Sequence, residues 1–592
     1  MNRLVLLFLP AILLLCVSQT FSQITPRPRN DSTQIVNLIH ADRFALEKKD
    51  SVELQFLVGN VQLEQEGTYF SGDSVIIRNG KIIEAFGNVH INDKDSVHTY
   101  SEYLLYYVDP KLARLKNNVK LTDGKTTLTT QELHYDVNRR IGEYFNGGTL
   151  LNEKSVLTSQ EGTYYSELKD AYFRKNVKLK DPAYDLEADS LMYNTETELT
   201  TFIAPTFIKD SSGRTIKTSE GFYDLKTGKG VFGKRPQIQD RSVFVTADDI
   251  DSNDSTGISI LTGNAVYTDT AEGVSILANL IRTHRDSGTM LATRKPLMII
   301  KQENDSIYIA ADTLYSGRMR DLEAVMDSIR RKDSTLAVLR GDSSLQIANR
   351  DSLQQTPSSD TAQRIANAGT LQRTVAPDTS QRTPATDTLQ QLAVNDTLQN
   401  KNDSADRYFQ AYHHVRIFSD SMQAVSDSLF YSGRDSIFRL FIDPVMWTGN
   451  SQVTGDTIYL YTKNKKPDQV HVFENGMAVE KSGPEMYNQV RGNRMFAYFI
   501  DGNINYMRAK GNAESIYYVL DDDSAVVGVN KIGGDIIDMR FLNKELNRVV
   551  VIGQPAGTLV PLLQATEQDR LLRDFKWQDA RRPKTKFELF EN

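Results

Sequence analysis

The chain has 592 residues, a net charge of −7 and one cysteine. Such a length is typical of several domains, and 40% hydrophobic with 24% charged residues is compatible with a folded chain. The acidic balance argues against broad nucleic-acid binding, which requires a basic surface.

The N-terminus has the pattern of a secretory signal peptide over residues 1–22. Arg3 supplies the positive end, residues 4–17 are apolar, and Thr20 and Ser22 are small residues before the predicted mature start at Gln23. Leu15 stands where a lipoprotein has a small residue before its lipidated cysteine, which argues against lipidation of Cys16. The mature chain is therefore expected to be exported and free of disulfides.

A short motif recurs along the chain with a period of about 29 residues. It consists of Gly or Asn, then Asn, Val, any residue and an aliphatic residue. Its second position falls at Asn60, Asn88, Asn118, Gly147, Asn176, Pro205, Arg235, Asn264 and Lys295. A second set of markers runs out of phase with the first, at Asp73, Glu102, Gln131, Gln160, Asp189, Ser219, Asp248, Asn279 and Asp312. Two sets of markers with one period indicate an internal repeat.

Each repeat is predicted to be one antiparallel hairpin. Residues 61–64 and 89–92 alternate apolar and polar side chains, which indicates strands with one buried face. Turn signals such as Asn79-Gly80 and Asp123-Gly124 fall about every half repeat. The glycine and polar markers lie in mid-strand, where they indicate a bend. The expected product is a folded sheet that is creased in every strand, open along one side and apolar inside.

Residues 39–91 resemble the start of the OstA/LptA-like family, which includes periplasmic lipopolysaccharide-transport proteins and the N-terminal domain of the outer-membrane translocon LptD. The resemblance rests on Ala41-Asp42, the Gly-Asn-Val strands and the Gly-Asp-Ser-Val crease at residues 72–75. It extends over residues 35–318 and more loosely over 406–560. It implies an all-β, open β-jellyroll that holds acyl chains in its groove and stacks end to end with other jellyrolls. This chain is longer than a single small bridge protein and carries a long interruption.

The predicted organisation has five parts. A signal peptide at 1–22 precedes a first repeat domain at 23–318. Residues 319–405 are rich in Ser, Thr, Asp, Gln, Ala and Pro and are expected to form a disordered linker, apart from a short charged helix over residues 321–340. A second repeat segment follows at 406–560, and a charged tail at 561–592 is expected to be irregular or weakly helical.

The candidate lipid-facing residues form an aliphatic ladder. They are Val61, Leu63, Val75, Ile77, Val89, Ile91, Val119, Leu121, Val177 and Leu179. A closed sandwich would bury this ladder as ordinary core, whereas an open jellyroll would present it to acyl chains, and the resemblance favours the second. A tyrosine ladder has the same two interpretations, as a core or rim ladder or as the lining of a groove mouth. Its members are Tyr106, Tyr135, Tyr164, Tyr193 and Tyr223.

No residue pattern predicts catalysis, a metal site or a cofactor. The acidic residues at the crease recur in every repeat, which catalysis does not need, so we interpret them as groups that hydrogen-bond the bent backbone. The adjacent pair His413-His414 would point to opposite faces of a strand and make a poor metal site. We therefore expect a non-enzymatic protein.

The predicted function is periplasmic lipopolysaccharide binding and transport toward the outer membrane. The expected partners are lipopolysaccharide or lipid A and other jellyroll components of the transport bridge or translocon, joined by edge-to-edge β-augmentation. No nucleic-acid partner is expected. The expected location is the periplasm, and association with the outer membrane is compatible with it. The alternative is a non-catalytic β-repeat scaffold or adhesion rod of the cell envelope that carries no lipid.

Overall fold

The computed structural model describes residues 36–339 and 406–590, except for residues 50, 95, 303–304, 464–465, 501–502, 522, 524 and 544. The predicted signal peptide, and the part of the predicted linker from 340 to 405, lie outside the described residues. The described chain forms two compact units. The first comprises residues up to 124 together with 129–140, and the second comprises 125–128 and the chain from 141 onward.

The first unit is built from antiparallel strands. Their bounds are β1 Asn37–His40, β2 Arg43–Lys49, β3 Val52–Gln65, β4 Thr68–Arg78, β5 Ile82–Asp93, β6 Val97–Tyr107, β7 Leu112–Thr122 and β8 Thr126–Asp136, of which residues 129–136 belong to this unit. Each long strand pairs with the next one along the chain. The predicted hairpins are therefore present.

The second unit continues the same pattern and has a larger number of short strands. Up to the helix, its strands are β9 Ile141–Tyr144, β10 Gly148–Asn152, β11 Ser155–Ser159, β12 Glu161–Tyr165, β13 Asp170–Lys180, β14 Tyr184–Asn194, β15 Leu199–Phe202, β16 Thr206–Asp210, β17 Thr215–Thr218, β18 Glu220–Asp224, β19 Lys229–Gly233, β20 Gln237–Asp240, β21 Val243–Thr246, β22 Asp249–Asn253, β23 Ile258–Asp269, β24 Val274–His284, β25 Thr289–Thr293, β26 Leu297–Ile300, β27 Ile307–Ala310 and β28 Thr313–Arg318. Helix α1 follows at Met319–Leu339. Several predicted long strands are thus broken into two at the crease.

Strands resume at residue 407. They are β29 Arg407–Phe418, β30 Gln423–Ser432, β31 Ile437–Phe441, β32 Val445–Thr448, β33 Ser451–Thr454, β34 Thr457–Lys463, β35 Lys466–Gly483, β36 Met486–Ile500, β37 Asn503–Leu520, β38 Val526–Leu542, β39 Glu545–Ile552 and β40 Ala556–Pro561. A one-turn helix, α2, spans Glu567–Arg570, and 3₁₀ turns span Asp579–Arg581 and Lys586–Phe590.

The crease divides each unit into two sheets. In β3 the pairing with β4 shifts between Val58 and Val61, and in β5 the pairing shifts between Phe86 and Val89. We name sheet A the sheet that contains residues 52–58 and sheet B the sheet that contains residues 61–65. In the second unit the same names apply to the halves that continue this pattern: residues 170–174 of β13 belong to sheet A and residues 177–180 belong to sheet B.

Positive φ angles produce the crease. Gly87 and Asn88 have φ angles of 68° and 44°, a left-handed conformation that glycine and asparagine adopt most readily. Asn88 Nδ2 donates to the Asp73 carboxylate at 3.0 and 3.2 Å. In the second unit Asn264 donates to Asp248 at 2.9 Å. At these positions the acidic side chain thus accepts from the asparagine side chain of the crease, and not from the backbone as the interpretation of the sequence had it.

The sheet of the second unit continues across the insertion that contains α1. Arg318, the last residue of β28, lies directly opposite Arg407, the first residue of β29. β27 also pairs with β29, with Ile309 opposite Ile417. The insertion therefore replaces a hairpin turn, and the strands before and after it share one pair of sheets. Leu322 of α1 packs on Tyr408 and Phe430.

The last residues of the chain cover sheet B of the second unit from outside. In β30 and β32 the interior positions are Ala424 and Met446, and Gln423 and Trp447 lie opposite each other on the other face. Residues 562–590 pack along that other face. Their buried anchor Leu572 contacts Met477, Val479, Ile516, Tyr518 and Val529. The predicted charged tail is thus a segment with short helical turns that is docked on the sheet.

These observations confirm the predicted fold class for the described residues. The chain is all-β apart from short helices, and its creased antiparallel hairpins give two sheets that the backbone joins along one side only. We call the opposite side, where the hairpin turns of sheet A and sheet B end, the free margin. We call the jellyroll open along this margin because side chains, and not strands, join the two sheets there.

Candidate functional site

The ten predicted lipid-facing residues all lie on interior faces. Val75 and Ile77 belong to sheet A and the other eight belong to sheet B, with Val177 and Leu179 in the second unit. Their exposed fractions range from 0% at Val61 to 7% at Ile77. In this conformation the ladder packs as a closed apolar core, so the side chains touch one another and not solvent.

The sheet A half of this interior was missing from the predicted set. In the first unit Ala85 lies opposite Leu104, which lies opposite Leu115, and Leu104 and Leu115 are fully buried. In the second unit Phe173 lies opposite Leu191, which lies opposite Phe202. The available signal was the same apolar alternation in the strand halves on the sheet A side of the crease.

The interior becomes polar toward the free margin. In the first unit Gln65, Thr68 and Asp93 flank the turns of sheet B, and each is at most 4% exposed. Thr68 Oγ1 donates to Asp93 Oδ1 at 3.0 Å. The interior is therefore amphipathic in cross-section, with hydrocarbon near the crease and hydrogen-bonding groups near the margin. Buried polar groups of this kind require partners. Thr68 finds its partner within sheet B, and Gln65 finds one on sheet A.

The tyrosine ladder lies on the interior face of sheet A next to the free margin. Tyr106 OH donates to Gln65 Oε1 of sheet B at 2.7 Å, and burial raises the pKa of the Tyr106 phenol. In the second unit Asn152 Nδ2 of sheet B donates to Tyr193 OH at 2.9 Å. The ladder is thus a rim of tyrosines beside the margin, as the first interpretation of the sequence has it, and its contact with a ligand stays a prediction.

Charged side chains also bridge the margin in the first unit. Lys111, in a turn of sheet A, places Nζ 2.5 Å from Glu66 Oε2, in a turn of sheet B. Arg140 Nε lies 3.2 Å from Asp93 Oδ2, whose side chain is 3% exposed. In both pairs the cation belongs to sheet A and the carboxylate belongs to sheet B.

The second unit has a buried charge cluster at its margin. Arg214 of sheet B donates through Nη1 and Nη2 to both oxygens of Asp254 of sheet A, each at 3.0 Å. Tyr223 OH donates to Asp254 Oδ2 at 2.9 Å. Burial alone would raise the pKa of Asp254, but the hydrogen bonds and charge of Arg214 prevail and lower it. A paired Arg214–Asp254 bridge is therefore maintained at neutral pH.

The adjacent histidines occupy a crease and not a regular strand, which corrects the expectation of opposite strand faces. His413 and His414 have φ angles of 59° and 53°. His413 Nδ1 lies 3.1 Å from Asp427 and His414 Nδ1 lies 2.9 Å from Asp312. Among the described residues, no three His, Cys, Asp or Glu side chains are grouped for a metal ion. In the same part of the chain, no helix is long and apolar enough to cross a membrane.

Among the described residues, the first strands of the first unit and the last strands of the second unit each leave a strand edge unpaired. In the first unit the described partner of β1 and β2 is β3, and Phe44 and Leu46 are 54% and 59% exposed. At the C-terminal end β39 and β40 pair with β38, and Ile552 and Leu559 are 45% and 66% exposed. Apolar side chains on an open edge are typical of a site for strand addition.

Comparison with known proteins supports the resemblance in the first part of the chain. Residues 33–189 match the model of the OstA-like protein family. This match confirms the predicted resemblance over those residues. A search of curated proteins finds no match to the chain.

Solved structures that match include LptH from Pseudomonas aeruginosa. It is described as the LptA homologous periplasmic component of the conserved lipopolysaccharide transport device. The identity is 22%, the match covers 19% of this chain and 82% of LptH, and the TM-score is 0.17. At this TM-score the superposition does not establish a shared fold along the chain.

Proposed function

We propose that this protein binds lipopolysaccharide, or its lipid A part, in the interior of the creased sheets and carries it across the periplasm toward the outer membrane. The single observation that carries the proposal is the apolar interior itself. Two faces of aliphatic side chains run through successive repeats, and the backbone joins them along one side only. The OstA-like match and the description of LptH support this cargo and this location.

The physical basis of carriage is the hydrophobic effect. An acyl chain that leaves water for an apolar interior gains about 0.8 kcal/mol per CH₂ group. Successive repeats offer near-equivalent aliphatic layers, as at Val61, Val89 and Val119. A lipid can then shift from one layer to the next without crossing a deep energy well. The protein acts by transfer, and its residues perform no bond chemistry.

Partners of the same architecture would continue the interior from end to end. β2 runs away from the crease and β39 runs toward it, so the exposed edges of sheet A at the two ends suit antiparallel pairing with another jellyroll. We propose that components of a lipopolysaccharide-transport bridge or an outer-membrane translocon dock on these edges. Outer-membrane association would follow from such docking.

The proposal is tested with Val119→Thr/Val177→Thr in the mature chain from Gln23. Threonine has the shape of valine but adds a hydroxyl to the interior, so acyl chains lose apolar contact while the sheets keep their packing shape. We expect recovery of copurified lipid A to fall at least about fivefold, measured by lipid extraction and mass spectrometry. The matched control is Lys120→Thr/Lys178→Thr, which changes the adjacent, exposed positions, and this control should retain lipid.

The alternative function, a scaffold without cargo, is favoured by one observation. The ladder residues are closed against one another, with Val61, Val119 and Val177 at no more than 1% exposure. A wild-type protein that copurifies without lipid, and that takes up no added lipid A, would establish this alternative and reject carriage. Native-like β-sheet circular dichroism of each variant shows that the comparison concerns folded protein.

A further inference from the structure

The side chains that bridge the free margin have a common arrangement that the repeat pattern did not predict. In the first unit Lys111 meets Glu66 and Arg140 meets Asp93. In the second unit Arg214 meets Asp254. In each pair one partner belongs to sheet A and the other to sheet B. Within the described residues the pairs therefore lie across the side from which a lipid can enter sideways, because the strands join the two sheets at the crease on the opposite side.

We infer that these pairs form a latch that exchanges its own carboxylates for the phosphate groups of an entering lipid headgroup. The inference rests on the proposed function and deepens it by naming the headgroup contacts. When the acyl chains separate the sheets, Lys111 is parted from Glu66 and Arg140 from Asp93, whereas Arg214 is parted from Asp254 but keeps Asp210 of its own sheet at 2.8 Å. A cation that is parted from its carboxylate near the apolar interior is costly unless another anion replaces that carboxylate. A phosphorylated headgroup at the margin supplies that anion.

The polar gradient of the interior fits this position of the headgroup. Hydrocarbon side chains such as Val61 and Val89 lie near the crease, whereas Gln65, Thr68 and Asp93 lie at the margin. A lipid with its chains toward the crease therefore has its headgroup beside Lys111. Phosphate and a guanidinium or ammonium group form short, charge-assisted hydrogen bonds. The exchange keeps the cations Lys111 and Arg140 paired, while the released carboxylates Glu66 and Asp93 turn to water at the opened margin.

The Lys111–Glu66 pair permits a test by two matched substitutions. Glu66→Gln and Lys111→Gln break the same ion pair and place the same uncharged amide at either position, but they leave opposite charges behind. We expect Glu66→Gln to take up lipid A faster, because the latch is weaker and the cation remains. We expect Lys111→Gln to bind lipid A about threefold more weakly, because the headgroup contact is lost. The affinity difference should vanish with dephosphorylated lipid A.

A chemical clamp tests whether the margin must open. The mature chain has no cysteine, because Cys16 precedes Gln23. Glu66→Cys/Lys111→Cys, joined by a cleavable bis-maleimide, should fail to load lipid A until the linker is cut. The matched control, Lys111→Cys/Asn138→Cys, joins two turns of sheet A that already contact each other through Asn138 Nδ2 and the Pro110 carbonyl at 3.2 Å. This control also lacks the Lys111 cation, so the cross-linked protein should load lipid A as well as the same double variant without the linker.

The outcomes separate the two proposals. If wild-type protein takes up no lipid A, the proposed function fails and the latch falls with it. If wild-type protein loads but both glutamine variants change equally, or neither changes, the exchange is rejected. Loading of the clamped Glu66→Cys/Lys111→Cys protein at the wild-type rate would likewise overturn the latch while leaving lipid carriage intact.

Discussion

At the scale of single residues, the recurring Gly-Asn pair is explained by the crease. Two consecutive residues with positive φ shift the pairing register, so the strand leaves one sheet and enters the other. Glycine meets the first position without steric cost, and asparagine adds an amide that binds the acidic residue of the neighbouring strand. At Gly87 a Cβ atom would lie 2.3 Å from Asp73 Oδ2. The acidic residue therefore occupies space that only glycine leaves.

The crease makes a prediction for Gly87→Ala with Gly80→Ala as its control. Both glycines have similar φ angles, +68° and +65°, but nothing lies within 4 Å of a Cβ at Gly80. Each substitution should cost about 1–2 kcal/mol from the left-handed backbone. Gly87→Ala should cost about 1 kcal/mol more, because Asp73 is displaced from Asn88.

The measurement is the free energy of denaturant unfolding of both variants and of Asp73→Ala/Gly87→Ala. In the Asp73→Ala background, Gly87→Ala should cost only the backbone penalty, about as much as Gly80→Ala, since the displaced carboxylate is absent. Equal losses in Gly80→Ala and Gly87→Ala would show that the carboxylate does not set the requirement for glycine.

At the scale of elements, side-chain amides dock the C-terminal segment on sheet B. Gln489 is fully buried; its Nε2 donates to the Arg570 carbonyl at 2.7 Å, and its Oε1 accepts from Leu572 N at 2.8 Å. Gln452 binds the Lys576 carbonyl and Gln578 N in the same manner. Each glutamine amide thus donates one hydrogen bond to the backbone of the segment and accepts one from it, as a neighbouring strand would. An outer sheet face that would otherwise expose Trp447 is covered.

Gln489→Ala should loosen this segment. Two hydrogen bonds to buried backbone groups are lost, which we expect to cost about 2–3 kcal/mol. Both tryptophans of the chain, Trp447 and Trp577, lie at this contact, so their fluorescence should shift to longer wavelength and residues 562–590 should become protease-sensitive. The control is Glu480→Ala, an exposed position of the neighbouring strand. An unchanged spectrum in Gln489→Ala would contradict the docking role.

At the scale of the whole molecule, the insertion after β28 is a feature of one hairpin and not a joint between two β domains. Because Arg318 lies directly opposite Arg407, a tight turn could join β28 to β29 in place of the insertion. The two β segments recognised in the sequence therefore share one interior in the second unit. Helix α1 contributes cover for the outer face of sheet A at Tyr408 and Phe430.

Replacement of residues 319–406 by Asn-Gly should consequently leave the β fold and lipid loading intact. The loss of Leu322 and its neighbours should lower the free energy of unfolding by about 2–3 kcal/mol, because their apolar contacts with the sheet disappear. Far-ultraviolet circular dichroism, thermal unfolding and lipid A uptake measure these effects. Loss of β structure in residues 407–561 would show that the insertion is required to join the strands.

The sequence by itself determined the repeat, the crease and the inward direction of the ladder, but it did not decide between a closed core and an open groove. These features depend on short-range patterns: alternation sets which face is buried, and paired Gly and Asn set the local φ angles. It also predicted the structural role of Asp73 and of the other crease carboxylates. The resemblance over its first part and the interior position of Val61 or Leu179 could thus be derived without coordinates.

Only the tertiary structure decided the contacts between distant residues. Lys111 and Glu66 are 45 positions apart, and Gln489 and Leu572 are 83 apart. No local pattern links such residues, because their proximity follows from how the two sheets close and from where the chain end returns. The charged residues at the margin and the glutamines on sheet B carried no periodic signal. The ion pairs across the margin and the docking of the C-terminal segment therefore became visible only in the folded structure.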